Sequence, residues 1–440
     1  MINKLVMFFV NLMQKYLPNP FTIAWVITLL VFLLAMGITG TNPLATVQYW
    51  GNDFFGILSF AMQMTLLIVS GYAFAVAKPM GKFLRRIARI PNTPKQTVLF
   101  VGFVSMILYW FNWGLGLIAG ALLAREIAKI RQDVDFRAVV AAAWSGIIIT
   151  HGGLSASIPL LSATPGHLFE KEIGIIPLSQ TMFSTQTLFI TITLAIIIPF
   201  VCLWLIPKKE NMVIVDPAKF KDDEEEETLQ ADRTTIADRM DHSKIIKYSL
   251  AVIGSIYIFY FFATKGFELN MNILIFIFVI LGVWLHDDLT SYSNAMIKGA
   301  TSAGGIILQY PFYAAIMGIM KGSGLVYVIS DGLLKLANYN TFEFFCYLSS
   351  LIISIFVPSA GGHWVVQAPF MLPAAATLGV EPWKVIMGVA WGESIWNVVC
   401  PFWALPLLAI ADISIKDLIG FTMLLFFIGN IVAIAGIFLF

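Results

Sequence analysis

Charged residues are scarce in this sequence of 440 residues. Lysine, arginine, aspartate and glutamate together supply 12% of the residues, whereas a soluble domain carries about 25%. The apolar share is 59%, more than one soluble core requires. This composition excludes an ordinary soluble enzyme and a disordered chain, and it predicts an all-α polytopic membrane protein. Because 27 basic residues face 26 acidic ones, the net charge of +1 also argues against a nucleic-acid partner.

Motifs for metal, nucleotide and covalent chemistry are also lacking. Cys202, Cys346 and Cys400 are far apart and form no metal-binding or redox spacing. Without an HExxH motif or a P-loop, a zinc protease or an ATP-driven pump is not expected. The segment Gly153–Ser157 reads G-x-S-x-S, not the G-x-S-x-G of serine hydrolases. We therefore predict no catalytic residue, no structural metal and no cofactor apart from a coupling ion, Na⁺ or H⁺.

Long hydrophobic runs are abundant instead. A bilayer core of about 30 Å needs roughly 20 apolar helical residues. The short apolar stretch before the first run lacks a small-residue cleavage site, so we expect an interfacial helix there, not a removable signal peptide. The predicted membrane spans are residues 21–39, 56–77, 137–161, 182–206, 246–264, 271–286, 303–320, 384–411 and 417–440.

Two further apolar stretches are long but interrupted near the middle. Residues 97–125 are interrupted at Phe111–Gly114, and residues 343–379 are interrupted at Pro358–His363. Each half is too short to span a bilayer comfortably. We therefore predict two re-entrant hairpins whose tips lie within the membrane.

Two of the predicted spans are interrupted as well, at Thr150–Ser155 and at Gly392–Asn397. Glycine, proline and polar residues in a row release backbone groups from the helical ladder. In hydrocarbon this is costly unless the segment lines a cavity or binds a ligand. We therefore predict two broken transmembrane helices.

The two halves of the sequence align at an offset of 247 residues, without gaps. At that offset both hairpin interruptions and both span interruptions coincide. Matches of glycine, tryptophan and proline are unlikely to be compositional accidents in a chain rich in leucine and alanine. The matched segments are Gly114 with Gly361, Ala143–Trp144 with Ala390–Trp391, and Pro159–Leu161 with Pro406–Leu408.

Basic residues predict that this repeat is inverted. Segments 78–95 and 125–137 hold ten lysines and arginines, whereas the corresponding regions hold only Lys321, Lys335 and Lys384. Basic loops mark the cytoplasmic side, so the matching loops are expected on opposite sides of the membrane. We predict a multi-pass protein of the inner (plasma) membrane with a cytoplasmic N-terminus.

Three regions follow from the repeat. Residues 1–206 are predicted to form the first inverted repeat, with the interfacial helix, four spans and the first hairpin. Residues 207–245 form a cytoplasmic linker that contains the acidic run Asp222–Glu227. Residues 246–440 supply a connecting span and the second inverted repeat, with the second hairpin.

The interruptions are the predicted substrate site. Half-helix N-termini suit an anion and half-helix C-termini suit a small cation, so no arginine is required. Indole rings nearby could contact a small alkyl group. The predicted substrate-binding residues are Asn112, Trp113, Gly114, Gly152, Gly153, Ser155, Ser157, Ser359, Gly361, Gly362, His363, Trp364, Gln367 and Trp391.

The predicted coupling-cation residues are Glu393, Ser394, Asn397, His363 and His151. Oxygen ligands suit Na⁺, whereas histidine and glutamate can carry a proton, and the residues alone leave both open. Ionisable groups inside a membrane are functional candidates by default. For a single serine or asparagine the alternative is a hydrogen bond between helices.

Five blocks of the sequence resemble one known family closely. They strongly resemble the AtoE-type short-chain fatty acid transporter family, and the likeness covers nearly the whole chain apart from the acidic linker. The blocks are FNWGLGLIAGALLAREI (111–127), GGLSASIPLLSATPG (152–166), QYPFYAAIM (309–317), VPSAGGHWVVQAPFMLPAA (357–375) and GESIWNVVCPFWALPLLAIA (392–411).

The resemblance implies an inner-membrane carrier of short-chain fatty acids such as butyrate or acetoacetate. The family is placed in a larger ion-transporter superfamily, whose better-known members are dimers with a scaffold and a moving transport domain. That implies a homodimer and an elevator-type mechanism. Those members carry a Ser-Asn-Thr signature at the hairpin tips, from which this sequence departs at Asn112–Gly114 and Ser359–Gly361.

Other functions remain compatible with the residues. A passive small-anion channel would show neither saturation nor counterflow, whereas a carrier would show both. A carrier of another small carboxylate would have the same architecture. A membrane-embedded acyl enzyme would depend on Ser155. A purely structural protein or a sensor would gain little from matched interruptions.

Overall fold

The computed structural model describes residues 18–220, 235–357 and 359–440, and all regular structure in these ranges is helical. The predicted N-terminal interfacial helix and the acidic run 222–227 lie outside the described residues. The α-helices are α1 Pro20–Thr39, α2 Pro43–Asp53, α3 Leu58–Ala75, α4 Lys78–Ile87, α5 Pro94–Phe111, α6 Trp113–Ile130, α7 Phe136–Trp144, α8 Ser157–Ser162, α9 Glu170–Ile173, α10 Thr185–Trp204, α11 Ile236–Asp241, α12 Lys244–Lys265, α13 Met271–Leu285, α14 Leu289–Ala300, α15 Gly304–Gly322, α16 Leu325–Leu334, α17 Phe342–Phe356, α18 Ala360–Leu378, α19 Pro382–Asn397, α20 Pro401–Ala411 and α21 Ile415–Leu439.

The polytopic membrane fold is confirmed. In the described ranges, nine helical segments are long and apolar enough to cross a membrane, and eight of them coincide with predicted spans. The predicted span 271–286 coincides with the apolar helix α13, which has 15 residues, reaches about 22 Å and is shorter than these nine segments, so this span stays a prediction. The ninth segment is instead α5, the first arm of the first predicted hairpin. This helix has 18 residues, more than the interrupted stretch 97–125 suggested for that arm.

Helix boundaries follow local capping chemistry. At the start of α1, Asn19 Oδ1 accepts the N–H of Phe21 at 2.9 Å, and Pro20 occupies the first turn, where no N–H is needed. Gly40 ends the helix at φ +67°, a backbone conformation that favours glycine. The helix α5 begins in the same way, with Thr93 as the capping residue and Pro94 in the first turn.

The first hairpin tip turns on a single extended residue, whereas at the second tip Val357 and Ser359 both lie outside helices. Asn112 ends α5 and caps α6 with φ −159°, and Ser359 caps α18 with φ −161°. The interruptions are therefore narrower than predicted. Trp113 and Gly361 already belong to the helices that follow the tips, and Pro358 lies outside the described residues.

The first broken span agrees with the prediction. After α7 the chain tightens into a 3₁₀ stretch, Ser145–Gly152, then leaves helical geometry at residues 153–156 before α8 begins. A mid-membrane 3₁₀ segment has weaker hydrogen bonding than an α-helix, so backbone groups become available here.

The second broken span needs a correction. The sequence predicted an interruption at Gly392–Asn397, but α19 runs unbroken through Asn397, and the chain leaves the helix only at Val398–Cys400. Pro401 explains the position, because its ring disfavours helical geometry at the residue before it. Gly392 has a packing role instead, since a Cβ there would lie 2.5 Å from the carbonyl oxygen of Tyr347.

Helix boundaries in the two halves repeat with the spacing found in the sequence. The helices α4 and α16 begin and end 247 residues apart, α6 and α18 begin 247 residues apart, and so do the tips Asn112 and Ser359. Packing corresponds too, because α3 lies against α6 and α15 lies against α18. The inverted orientation and the three predicted regions stay predictions.

Helices of the two halves pack against each other around the interruptions. The helix α19 packs on the 3₁₀ stretch, α20 packs on α6, and α10 packs on α21. The indole Nε1 of Trp144 donates to the carbonyl oxygen of Val398 at 2.9 Å, which joins one broken span to the other. The predicted site residues therefore come from elements in direct contact.

Candidate functional site

The first hairpin tip is fixed by its own side chain and by the first broken span. Asn112 is buried, and its Oδ1 accepts the N–H of Leu115 at 2.9 Å. The N–H of Trp113 donates to Ser155 Oγ at 2.9 Å. Because Oδ1 caps the helix, the Nδ2 amide group of Asn112 is left buried with no hydrogen-bond partner in the described ranges. The tip thus carries an unused donor.

The second hairpin tip rests on α15. Ser359 Oγ accepts the N–H of Gly362 at 3.3 Å and donates to Tyr310 Oη at 3.1 Å. Tyr310 is buried, and a Cβ on Gly361 would lie 2.8 Å from its hydroxyl oxygen. Only glycine therefore lets this tip approach the tyrosine so closely.

A buried ionisable group lies where the two broken spans meet. His151 Nε2 and Glu393 Oε2 are 3.1 Å apart, with side chains that are 3% and 0% exposed. The two atoms are not aligned for a hydrogen bond, and both lack another partner within the described residues. Glu393 Oε1 accepts the Asn397 Nδ2 amide at 2.7 Å, which leaves Asn397 Oδ1 unpaired. Two oxygen acceptors that make no hydrogen bond among the described residues therefore lie together, one of them in contact with the imidazole.

Ser394 forms hydrogen bonds between the two broken spans. Its Oγ donates to the carbonyl oxygen of Ile148 at 3.0 Å and lies 3.1 Å from Thr150 Oγ1. Both partners belong to the 3₁₀ stretch of the first broken span. Ser394 therefore joins the two broken spans and has little hydrogen-bonding capacity left for an ion.

His363 and Gln367 form a network inside the second hairpin. His363 Nε2 contacts Ser350 Oγ at 3.1 Å and the Gln367 Oε1 atom, while Nδ1 lies 3.2 Å from Ser354 Oγ. The Ser350 hydroxyl donates to the carbonyl oxygen of Val389, so it can only accept from the imidazole. A neutral ring with its proton on Nε2 satisfies every contact. This pattern favours a structural role over proton carriage.

The tryptophans divide between two environments. Trp113 packs edge-on against Trp403 with ring centroids 5.4 Å apart, and both indole N–H groups are buried and unpaired in the described chain. Trp391 lies against Gly152 and also has an unpaired N–H. Trp364 packs edge-on against Phe169, and its N–H is likewise buried and unpaired in the described chain.

Unpaired buried polar atoms concentrate at the interruptions. Buried polar atoms ordinarily have a partner, so a cluster without partners indicates a place where a ligand or an ion completes the bonding. Sixteen buried side-chain polar atoms of the described residues lack a hydrogen-bond partner, and eight of them lie at or beside the interruptions: Nδ2 of Asn112, Nε1 of Trp113, Trp391 and Trp403, both ring nitrogens of His151, Oε2 of Glu393 and Oδ1 of Asn397.

The remaining predicted residues shape the backbone. Gly114 lies against the backbone of Ile68, Gly152 ends the 3₁₀ stretch, and Ser157 begins α8. Their assignment to the substrate site stays a prediction, as it does for every residue named above.

Gly153 is expected to be indispensable for stability. A Cβ at this position would lie 2.5 Å from the carbonyl oxygen of Trp110 and 2.8 Å from its Cα, and backbone cannot yield as a side chain can. Gly153→Ala should destabilise the protein by about 1–3 kcal/mol. Thermal unfolding of the purified protein in detergent measures this, with Gly37→Ala as the control, because a Cβ there meets nothing within 4 Å. Equal melting temperatures for both variants would contradict the packing argument.

Sequence reasoning missed Tyr310, Thr150 and Trp403. Thr150 marked the first interruption but was not assigned a role, and the 247-residue offset pairs it with Asn397. Tyr310 lies in a predicted span with no interruption, so only the hydrogen bond from Ser359 reveals it. Trp403 follows the second interruption and became a candidate once that interruption was located at Val398–Cys400.

Comparison with known sequences gives one consistent result. The sequence profile of the family described as short chain fatty acid transporter matches residues 1–440. A curated protein of Escherichia coli K12, named for short-chain fatty acid transport, is 36% identical over 440 residues and is covered completely, as is this chain. A Haemophilus influenzae Rd protein with the same name is 38% identical over 430 residues, 96% of each chain.

The chain belongs to the short-chain fatty acid transporter family. The resemblance noted in the sequence is confirmed, and the relatives are named as transporters and not as enzymes.

Solved structures support the fold of this family member. The Alcanivorax borkumensis YdaH transporter, whose structure is described as having an unusual topology, superposes with a TM-score of 0.60 at 15% identity, over 96% of this chain and 97% of that one. Neisseria gonorrhoeae MtrF, from a class described as antimetabolite efflux pumps, superposes with a TM-score of 0.52 at 14% identity, over 100% and 97%. At such identities the likeness concerns the fold alone.

Proposed function

We propose that this protein is a secondary active transporter that carries short-chain fatty acids, such as butyrate or acetoacetate, across the inner membrane together with Na⁺ or H⁺. The observation that carries the proposal is the cluster of unpaired buried polar atoms at one hairpin tip and both broken spans. In a family member these atoms are the natural partners for a small anion and a cation.

The substrate carboxylate would be held by neutral donors. Asn112 Nδ2 and the indole N–H groups of Trp113 and Trp403 are buried and have no acceptor in the described ranges. Neutral donors can hydrogen-bond to a carboxylate but bind it less strongly than a pair of arginines would. Weaker binding suits a ligand that must be released on the other side of the membrane. The paired indole rings would contact the short alkyl chain.

The coupling cation would act at His151, Glu393 and Asn397. A carboxylate at 0% exposure is costly to bury as an anion unless a cation or a proton compensates it. Asn397 Oδ1, which has no hydrogen-bond partner in the described ranges, and Glu393 Oε2, which is contacted by His151 Nε2 without a hydrogen bond, are the acceptors proposed for that purpose. Ser394 and His363, which the sequence also suggested, have partners already and would support the site from outside.

The movement is proposed to be of the elevator type in a homodimer. Both features come from the resemblance to the wider superfamily. Each hairpin packs on one long helix of its own half, α6 on α3 and α18 on α15, and these two helices are equivalent by the 247-residue spacing. The cytoplasmic N-terminus is supported by the ten basic residues of segments 78–95 and 125–137.

Uptake of radiolabelled butyrate into proteoliposomes tests the proposal. We expect saturable accumulation driven by an imposed Na⁺ gradient or by an imposed pH gradient, and counterflow of label against unlabelled butyrate. Protein-free liposomes are the essential control, because undissociated butyric acid crosses bilayers unaided. Uptake without saturation or counterflow would indicate a channel. Absence of protein-dependent uptake under both gradients would overturn the substrate assignment.

A further inference from the structure

A short helix outside the transport site has an unusual surface. The helix α4, with 10 residues, reaches only about 15 Å and cannot span the membrane. It joins the span α3 to the hairpin arm α5 and packs on α6. Leu84 and Ile87 are buried in that contact. One face of α4 is thus bound to the first hairpin, and the other is open.

We call residues 78–95, which comprise α4 and the turn that leads to α5, the basic connector. It contains six lysines and arginines and no acidic residue. Four of the basic residues are exposed and form no ion pair with any described residue; they are Lys82, Arg86, Arg89 and Lys95. Phe83 and Ile90 lie among them with 50% and 56% of their surface exposed. Positive charge and large apolar side chains therefore share one surface.

The neighbouring basic segment is built differently. At the end of α6 and in the turn beyond, Lys129 pairs with Glu126 at 2.9 Å, and Arg131 pairs with Asp133 at 2.6 Å. Arg137, at the start of α7, pairs with an aspartate in the same way. Within the basic connector Lys78 also has an acidic partner, Asp287 at 2.7 Å, but Lys82, Arg86, Arg89 and Lys95 have none among the described residues.

The equivalent helix of the other half has no such charge. The helix α16, which begins and ends 247 residues after α4, contains no lysine or arginine and carries Asp331. Both halves contain this short helix, but only α4 carries the basic surface. Folding of the helix does not require it.

We infer that the basic connector binds the headgroups of anionic phospholipids in the adjoining leaflet. A short helix with clustered lysine and arginine beside exposed apolar side chains matches the chemistry of the membrane interface. Phe83 and Ile90 would enter the boundary between headgroups and acyl chains, and the basic side chains would contact phosphate. Because α4 packs on α6, bound lipid would fix the depth of the first hairpin.

The test compares association of spin-labelled phosphatidylglycerol and spin-labelled phosphatidylcholine with the full-length protein in phosphatidylcholine bilayers at low salt. The variant is Lys82→Gln/Arg86→Gln/Arg89→Gln. Its control, Lys244→Gln/Lys335→Gln/Lys416→Gln, removes the same charge from exposed sites elsewhere. An interfacial basic residue typically contributes about fivefold, so the triple variant should lose at least fivefold of the selectivity for phosphatidylglycerol.

The control variant should keep the selectivity, and 0.5 M salt should lower it in the wild type. The charge-preserving variant Lys82→Arg/Arg86→Lys/Arg89→Lys should keep it too, which separates loss of charge from loss of folding. Equal selectivity in the wild type and the glutamine variant would overturn the inference. The measurement needs no transport, so its outcome is independent of the proposed function.

Discussion

Glu393→Gln is expected to reduce protein-dependent butyrate uptake by about 100-fold or more, equal to about 3 kcal/mol. The substitution keeps the shape of the side chain and the oxygen that accepts from Asn397 at 2.7 Å. It removes the ionisable carboxyl group beside His151 and places an amide where Oε2 lies, 3.1 Å from His151 Nε2. A neutral amide can neither balance a bound cation nor take up a proton, so the coupled cycle should stop while the fold persists.

A second buried carboxylate supplies the matched control. Glu343 is 5% exposed, and its Oε1 accepts a side-chain amide at 2.7 Å as that of Glu393 does, here from Gln186 on the helix α10. It lies in the first turn of α17, at the far end of that hairpin arm from the tip. Glu343→Gln should keep uptake within about threefold of the wild type, a change below 1 kcal/mol.

The comparison is made on initial rates at equal amounts of reconstituted protein, with melting temperatures measured for both variants. A Glu393→Gln protein that accumulates butyrate normally under both gradients would remove the coupling role from this carboxylate. Equal losses in the two variants would show that burial of the carboxylate, and not its place between the broken spans, decides the effect.

The sequence predicted the polytopic fold and the hairpin tips well because their signals are local. Asn112 and Ser359 follow long apolar arms and precede glycines, so both tips were located to within a few residues. The second broken span was displaced because Gly392 and Ser394 suggested a break on composition alone. In the structure, tight packing of Gly392 on Tyr347 keeps those residues helical, and Pro401 sets the break.

The composition of the site could be predicted only in part, because hydrogen-bond partners are not visible in one sequence. His151 and Glu393 come from the two interrupted spans, so their proximity followed from pairing the halves. His363 appeared equivalent to them by residue type, yet its ring is satisfied by Ser350, Ser354 and Gln367. Only contacts in the folded protein show whether a polar side chain has hydrogen-bond partners. Sequence periodicity and spacing do not reveal those contacts.

Asn112→Ala is expected to abolish uptake and to lower the melting temperature, because the Asn112 side chain has two roles that can be separated. Its Oδ1 caps α6 by accepting from Leu115, and loss of a cap costs about 1 kcal/mol. Its Nδ2 is the unpaired donor that we assign to the substrate carboxylate. Asn112→Ser separates these roles, since serine performs the cap at the equivalent tip, where Ser359 Oγ accepts from Gly362.

The serine variant should regain most of the stability lost by the alanine variant but little of its uptake. Ser359→Ala is the control for capping alone, and it should lower stability more than it lowers the affinity for butyrate. Melting temperature and the concentration dependence of uptake, measured for all three variants, decide between the roles. If Asn112→Ser transports like the wild type, Asn112 acts only through the helix cap. The donors for the carboxylate would then have to be the indole groups of Trp113 and Trp403, whose N–H groups would remain the unpaired ones beside the tip.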